Sequence, residues 1–234
     1  VYMSSDINFQ EMLKIWQDSQ EYQDITWTGN FNDYLNMIKE NPRITRNSFQ
    51  RMYDMIMEYG TEEYIDVKKK MVHYKFFDDE ENSGKDAVFG LDISLMKLVN
   101  VLRSAALGYG TEKRVILLHG PVGSAKSTIC RMIKKGVEEY SKKPQGAMYT
   151  VEWIDEAGEH EDIFGEGVRV FPSPMHEQPL LLVPEELREK LCDEINRGSK
   201  DDFRVKIVGE LCPPSRFIFT KLLEKYKGDI SRVY

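Results

Sequence analysis

The sequence predicts an α/β fold in which a parallel β-sheet is preceded by a small helical unit. Apolar residues recur at helical spacing through residues 8–59, and a short aliphatic run occupies residues 115–118. A glycine-containing loop then leads directly into an amphipathic helix. Such an aliphatic run is typical of a parallel strand that is covered on both faces. We assign the helical unit to residues 1–65 and the sheet-containing domain to residues 66–234.

The N-terminal unit is predicted to contain three helices, over residues 8–22, 31–40 and 46–59. Asn41-Pro42 ends the second helix and Gly60 ends the third. The methionine and aromatic stripes of these helices are typical of core packing.

The larger domain alternates helical and strand-like patterns. Strands are predicted at 71–77, 115–118, 147–154 and 203–207, and helices at 91–107, 126–140, 184–197 and 216–227. Residues 165–184, rich in glycine and proline, are predicted to be a long loop, which inside a domain is usually functional or disordered.

The most informative stretch joins the 115–118 strand to the 126–140 helix. It reads G-x-x-x-x-A-K-S, one substitution away from the Walker A pattern G-x-x-x-x-G-K-[ST]. The candidate phosphate-binding residues are Gly120, Pro121, Val122, Gly123, Ser124, Ala125, Lys126, Ser127 and Thr128.

The chemistry of phosphate binding explains these residue types. Backbone N–H groups on a tight loop, at the positive end of a helix dipole, can surround the phosphates of ATP. Lys126 is placed to reach the β- and γ-phosphates, and the Ser127 hydroxyl is placed to ligate Mg²⁺. A simple turn with a surface lysine is the alternative interpretation.

Two further positions bear on nucleotide binding. Ala125 places a methyl group where the backbone normally approaches the phosphates most closely, which would weaken binding. Phe89 precedes the 91–107 helix and is a candidate neighbour of the adenine ring, with packing of the helix onto the sheet as the alternative.

Asp155 and Glu156, at the end of the 147–154 strand, invite comparison with a Walker B site. Thr150 and Glu152 interrupt the apolar pattern of that strand, and further acidic residues follow it, as in a surface turn. We favour the surface turn and identify no catalytic residue.

Composition limits the possible functions. The formal charge of −7 argues against general nucleic-acid binding, and no apolar run is long enough to cross a membrane. Three cysteines and four histidines show no metal-ligand or redox spacing. We therefore expect a cytoplasmic protein without a metal site built from these residues.

Three segments together resemble the N-terminal part of the PrkA-type serine protein kinases. They are the phosphate-loop segment at 118–129, the proline-histidine-glutamate segment at 172–180, and residues 209–219, which run from Gly-Glu to Pro-Ser-Arg-Phe. The resemblance extends over nearly the whole chain.

This resemblance implies an AAA-type ATPase module that binds ATP and Mg²⁺. In the family, the module is attached to a C-terminal region credited with serine/threonine kinase activity, and the Walker B, sensor and arginine positions lie beyond the point matching Tyr234. We therefore expect this sequence to be a fragment. The ordinary kinase motifs H-R-D-x-x-x-x-N and D-F-G are absent from it.

Three functions remain open at this stage. The chain could belong to a PrkA-like kinase, or to an ATP-driven remodeller or protease-like machine that forms rings. It could also be a nucleotide-gated oligomerisation or docking domain without turnover. A nucleotide-dependent homo-oligomer is possible in each case, and the sequence does not identify the protein substrate.

Overall fold

The computed structural model describes residues 27–197 and 202–234. The helix predicted over residues 8–22 lies outside this described part.

The described part of the N-terminal unit, which we call the leader, contains two helices whose bounds follow the predicted periodicity. Helix α1 spans Phe31–Glu40, and α2 spans Ser48–Glu58. Each begins with a reciprocal capping box, in which Asn30 or Asn47 accepts a hydrogen bond from the backbone of the third helical residue. These asparagines fix where the helices begin.

An antiparallel hairpin follows α2 directly. Strand β1 (Thr61–Asp66) was not predicted, and it pairs along its whole length with β2 (Lys69–Tyr74). The hairpin then leads through a 3₁₀ turn to α3 (Asp92–Ala106).

The remaining helices are α4 (Lys126–Ser141), the short α5 (Glu161–Phe164), α6 (Glu185–Asn196) and α7 (Pro213–Lys225). Of these helices, α5 was not predicted, and the others form close to their predicted positions. Between them, β3 (Glu152–Ile154) pairs antiparallel with β4 (Val170–Pro172).

The predicted parallel sheet is not formed by the described residues, whose strands make two small antiparallel sheets. The 115–118 segment joins neither sheet, and its side chains are far from buried: Val115 is 94% exposed and Leu117 is 81% exposed. An aliphatic run becomes a strand only where neighbours supply ladder hydrogen bonds, and the described residues supply none. The prediction of a buried strand here was therefore wrong.

Of the other three strand predictions, 71–77 overlaps β2, and the remaining two were too long or lacked a partner. Of residues 147–154, only the last three form β3. Residues 203–207 keep the predicted alternation of burial, but they do not enter a sheet.

Two hydrophobic clusters hold the described residues together. The first joins α1 to β3, α6 and α7, with Ile38, Leu180 and Ile218 at its centre. The second joins α2, the hairpin, α3 and α4. The leader helices therefore contribute to both clusters and share them with residues from the second half of the chain.

Among the described residues, none of the helices combines the length and the apolar character needed to cross a membrane.

Candidate phosphate-binding loop

The candidate site is the loop between residue 119 and helix α4. The helix begins at Lys126, and its first turn has no side-chain cap. The N–H groups of this turn therefore remain available to an anion at the positive end of the helix dipole.

Two glycines allow the loop to take its path. A Cβ atom at Gly120 would lie 2.8 Å from Ser124 Oγ, closer than carbon and oxygen pack. Gly123 has a φ of 83°, in the left-handed region that glycine enters at little cost. Backbone conformation therefore favours glycine at position 123, whereas a side chain at position 120 would require the Ser124 hydroxyl to rotate away.

Ala125 stands where the Walker A pattern has its second glycine, and it adopts the backbone conformation that favours glycine. Its φ is 54° and its ψ is 11°, which is left-handed helical backbone. An L-residue in this region is strained by about 1 kcal/mol. The substitution therefore preserves the shape of the loop at a cost in stability.

The Lys126 ammonium group is held inside the loop. Its Nζ lies 2.9 Å from the Gly120 carbonyl oxygen, 2.5 Å from that of Pro121, and 2.9 Å from Ser124 Oγ. The Ser124 hydroxyl in turn donates to the Pro121 carbonyl at 2.8 Å. The lysine is thus placed at the centre of the turn, where it can neutralise an incoming phosphate.

The remaining loop residues face outward. Pro121, Val122 and Ser127 are exposed, and Thr128 is half-buried in the first turn of α4. An exposed hydroxyl at the second position of the helix is accessible to a hydrated Mg²⁺ ion. The structure thus brings residues 120–128 together as one continuous surface.

Phe89 lies just before α3, and its side chain is 79% exposed. Helices α3 and α4 pack in the same hydrophobic cluster. The role of Phe89 beside an adenine ring stays a prediction.

Asp155 lies in a buried turn that stabilises the end of β3. Its carboxylate accepts hydrogen bonds from the backbone N–H groups of Glu159 and His160, and His160 Nδ1 lies 3.1 Å from Asp155 Oδ1. On the far side of the ring, Nε2 lies 2.7 Å from the Tyr226 hydroxyl. Burial acts to raise the pKa of Asp155, but the hydrogen bonds from His160 and Glu159 outweigh it and lower the pKa. The carboxylate is thus engaged within its own turn, unlike a Walker B acid.

The 172–180 and 209–219 segments meet in a buried hydrogen-bond network. Glu177, which is only 8% exposed, accepts from the Ser173 hydroxyl at 2.7 Å and from the backbone N–H of Cys212. The Cys212 thiol lies 3.3 Å from the same carboxylate and 3.4 Å from Ser215 Oγ. The network fixes the start of α7, where two prolines leave few N–H groups to bind otherwise. Sequence reasoning missed this contact because its partners are 35 residues apart.

The loop and the helix that follows it match the loop–helix half of the strand–loop–helix P-loop arrangement, whose strand the described residues do not form. A family model described as the PrkA AAA domain matches residues 29–234. This chain belongs to that family, which confirms the resemblance seen in the sequence and implies nucleotide binding.

Two relatives are similar to this chain in sequence. The chain is 36% identical over 223 residues, 95% of its length, to a protein of Bacillus subtilis (strain 168) named ATP-dependent protease PrkA. It is also 35% identical over 107 residues to an uncharacterized protein in the gldA 5′ region of Geobacillus stearothermophilus, covering 45% of this chain and 99% of that protein. The chain spans 29% of the length of the Bacillus relative. No solved structure matches it significantly.

Proposed function

We propose that this chain is the ATP- and Mg²⁺-binding ATPase module of a longer PrkA-family enzyme. The observation that carries the proposal is the loop at 120–128, with Lys126 inside the turn and the uncapped N-terminus of α4 behind it. The family assignment supports the same function.

Different groups of the loop would bind different parts of the nucleotide. Backbone N–H groups of the loop and of the first turn of α4 donate to the phosphate oxygens, and Lys126 moves from its carbonyl partners to the β- and γ-phosphates. The Ser127 hydroxyl would hold Mg²⁺, and the ion would supply positive charge to neutralise the phosphates. Hydrolysis requires residues that this loop does not contain.

A titration with a fluorescent ATP analogue tests the proposal. We expect saturable binding that Mg²⁺ strengthens and that Lys126→Ala abolishes. Lys142→Ala is the control, because Lys142 is an exposed lysine at the other end of the same helix. Equal binding by both variants would contradict the proposal.

The activity of the longer protein has two candidates. The family resemblance favours serine/threonine phosphorylation by a region outside this chain, whereas the name of the Bacillus relative favours ATP-dependent proteolysis. Both would use this module to bind ATP. A nucleotide-gated homo-oligomer without turnover is a third possibility.

One set of assays on the longer protein separates these activities. It would be incubated with casein and ATP, and both phosphoserine and released peptides would be measured. Phosphoserine without peptides selects the kinase, and peptides without phosphoserine select the protease. Sedimentation with ATP and with a non-hydrolysable analogue then shows whether assembly needs turnover.

A further inference from the structure

Residues 203–209 form an isolated strand-like segment outside both sheets. Burial alternates along it: Phe203 and Val205 are buried and Ile207 is half-buried, whereas Arg204, Lys206 and Val208 are exposed. This period of two is the signature of a strand with one face on the core.

One edge of the segment is already occupied. The Asn196 side chain accepts from Val205 N–H at 2.8 Å and donates to the Val205 carbonyl at 2.9 Å, as a neighbouring strand would. Further along, Arg188 donates to the Gly209 carbonyl at 2.8 Å. Helix α6 thus satisfies backbone groups of Val205 and Gly209, and the Phe203 carbonyl accepts from Arg46 of the N-terminal unit.

The opposite edge is open within the described part of the chain. Backbone groups of Arg204, Lys206 and Val208 have no hydrogen-bond partner among the described residues. Because N–H and C=O groups of alternate residues in a strand point to opposite edges, these three residues present their donors and acceptors together. An unpaired edge of this kind is a template for another strand.

A groove of about 740 Å³ lies beside the segment, between it and the end of α3. Lys113, Arg204 and Lys206 line the groove, and none of them forms an ion pair with another described residue. Of its acidic lining residues, Asp202 lies 3.7 Å from Arg103, whereas Glu112 accepts from the neutral Gly110 N–H and keeps its charge. Lys113, Arg204 and Lys206 outnumber this one acid, so the groove carries a net positive charge, although the chain as a whole carries −7.

We propose that the 204–208 edge binds an extended acidic segment of a partner protein by strand addition. The backbone of the partner would pair with residues 204, 206 and 208. Acidic side chains on its outer face would lie across from Arg204 and Lys206, where opposite charges stabilise a cross-strand pair. This site does not depend on nucleotide binding.

Fluorescence anisotropy with labelled peptides tests strand addition. A peptide of alternating glutamate and valine is expected to bind at least about tenfold more tightly than its lysine–valine counterpart. Two further versions carry N-methyl groups, one on the glutamates and one on the valines. One of the two should lose binding, because its methyl groups block the N–H groups that face the edge.

Variants locate the binding at this groove. Lys206→Glu should weaken binding of the acidic peptide about tenfold, while Lys190→Glu, an exposed charge reversal on α6, should leave it unchanged. The proposal is overturned if the acidic peptide does not bind, if both N-methylated versions bind like the parent, or if Lys206→Glu has no effect. Tighter binding of an uncharged peptide copying residues 115–118 would overturn it in favour of pairing with a second copy of this chain.

Discussion

At the scale of single residues, Ala125 is one of several non-glycine residues whose backbone has a positive φ. Its left-handed φ of 54° suits glycine. We expect Ala125→Gly to raise the free energy of unfolding by up to about 1 kcal/mol and to tighten nucleotide binding. Urea denaturation and the ATP-analogue titration measure the two effects.

Gly123→Ala provides the matched comparison for this prediction. Gly123 has a φ of 83°, and a Cβ atom there meets nothing within 4 Å, so only backbone strain is added. We expect this variant to lower the free energy of unfolding by about 1 kcal/mol. If Ala125→Gly instead lowers the free energy of unfolding as much as an alanine-to-glycine change inside an ordinary helix, Ala125 is not strained.

Glu177 makes stability depend on pH. Burial acts to raise its pKa, but hydrogen bonds from Ser173, Cys212 and Ser215 outweigh it and lower the pKa below the usual 4.5. A lowered folded-state pKa gives stability that is present above the unfolded pKa and is lost as the pH falls through the folded pKa.

Glu177→Gln should therefore lower the free energy of unfolding by about 1–3 kcal/mol at neutral pH and by much less at about pH 3. Urea denaturation at the two pH values measures this. Glu186→Gln, at an exposed position on α6, should have no effect at either pH. A cost for Glu177→Gln that is the same at both pH values would mean that the charge of Glu177 does not contribute.

At the scale of secondary-structure elements, the His73 side chain connects the hairpin to the start of α3 through hydrogen bonds. Its Nδ1 lies 2.8 Å from Asp92 Oδ1, and its Nε2 lies 2.9 Å from both Asp78 carboxylate oxygens. The Tyr64 hydroxyl donates to the other Asp92 oxygen. Hydrogen bonds to Asp92 and Asp78 raise the pKa of His73 above its usual 6.5, although burial opposes them.

This raised pKa predicts a loss of stability in alkaline solution. The contribution of His73 is fully present below pH 6.5 and is lost as the pH rises through the folded-state pKa. We expect His73→Gln to lower the free energy of unfolding by about 1 kcal/mol at about pH 6 and to leave it nearly unchanged at about pH 9. Denaturant titrations across this range test it, with exposed His119→Gln as the control. A gap between wild type and His73→Gln that grows with pH would contradict this assignment.

The success of sequence-based prediction also differs by element. Helices α1 and α4 were predicted nearly to the residue, because capping and a 3.6-residue period are local signals. Strands depend on distant partners, so residues 115–118 and 203–207 were assigned to a sheet that the described residues do not form. Likewise, the loop at 120–128 was recognisable from its own residues, whereas the contact of Glu177 with Cys212 was not.

At the scale of the whole molecule, the leader and the C-terminal helix share one core. Ile38 of α1 is fully buried in the same cluster as Ile218 and Leu222 of α7. We expect Ile38→Ala to lower the free energy of unfolding by about 2–5 kcal/mol, because it leaves a cavity in that cluster. Hydrogen exchange should then speed up in α7 as well as in α1.

The control for this prediction is Leu187→Ala, since Leu187 is 53% exposed on α6 and its removal leaves no cavity. Faster exchange confined to α1 would instead support residues 1–65 as a separate helical unit.

The position of Lys126 also affects how fast a nucleotide can bind. Its ammonium group already has three oxygen partners within the loop, at 2.5–2.9 Å. These contacts must break before the ammonium group can turn to a phosphate, so a rearrangement of the protein accompanies binding. In a stopped-flow experiment, the observed association rate constant would then level off at high nucleotide concentration instead of rising in proportion to it.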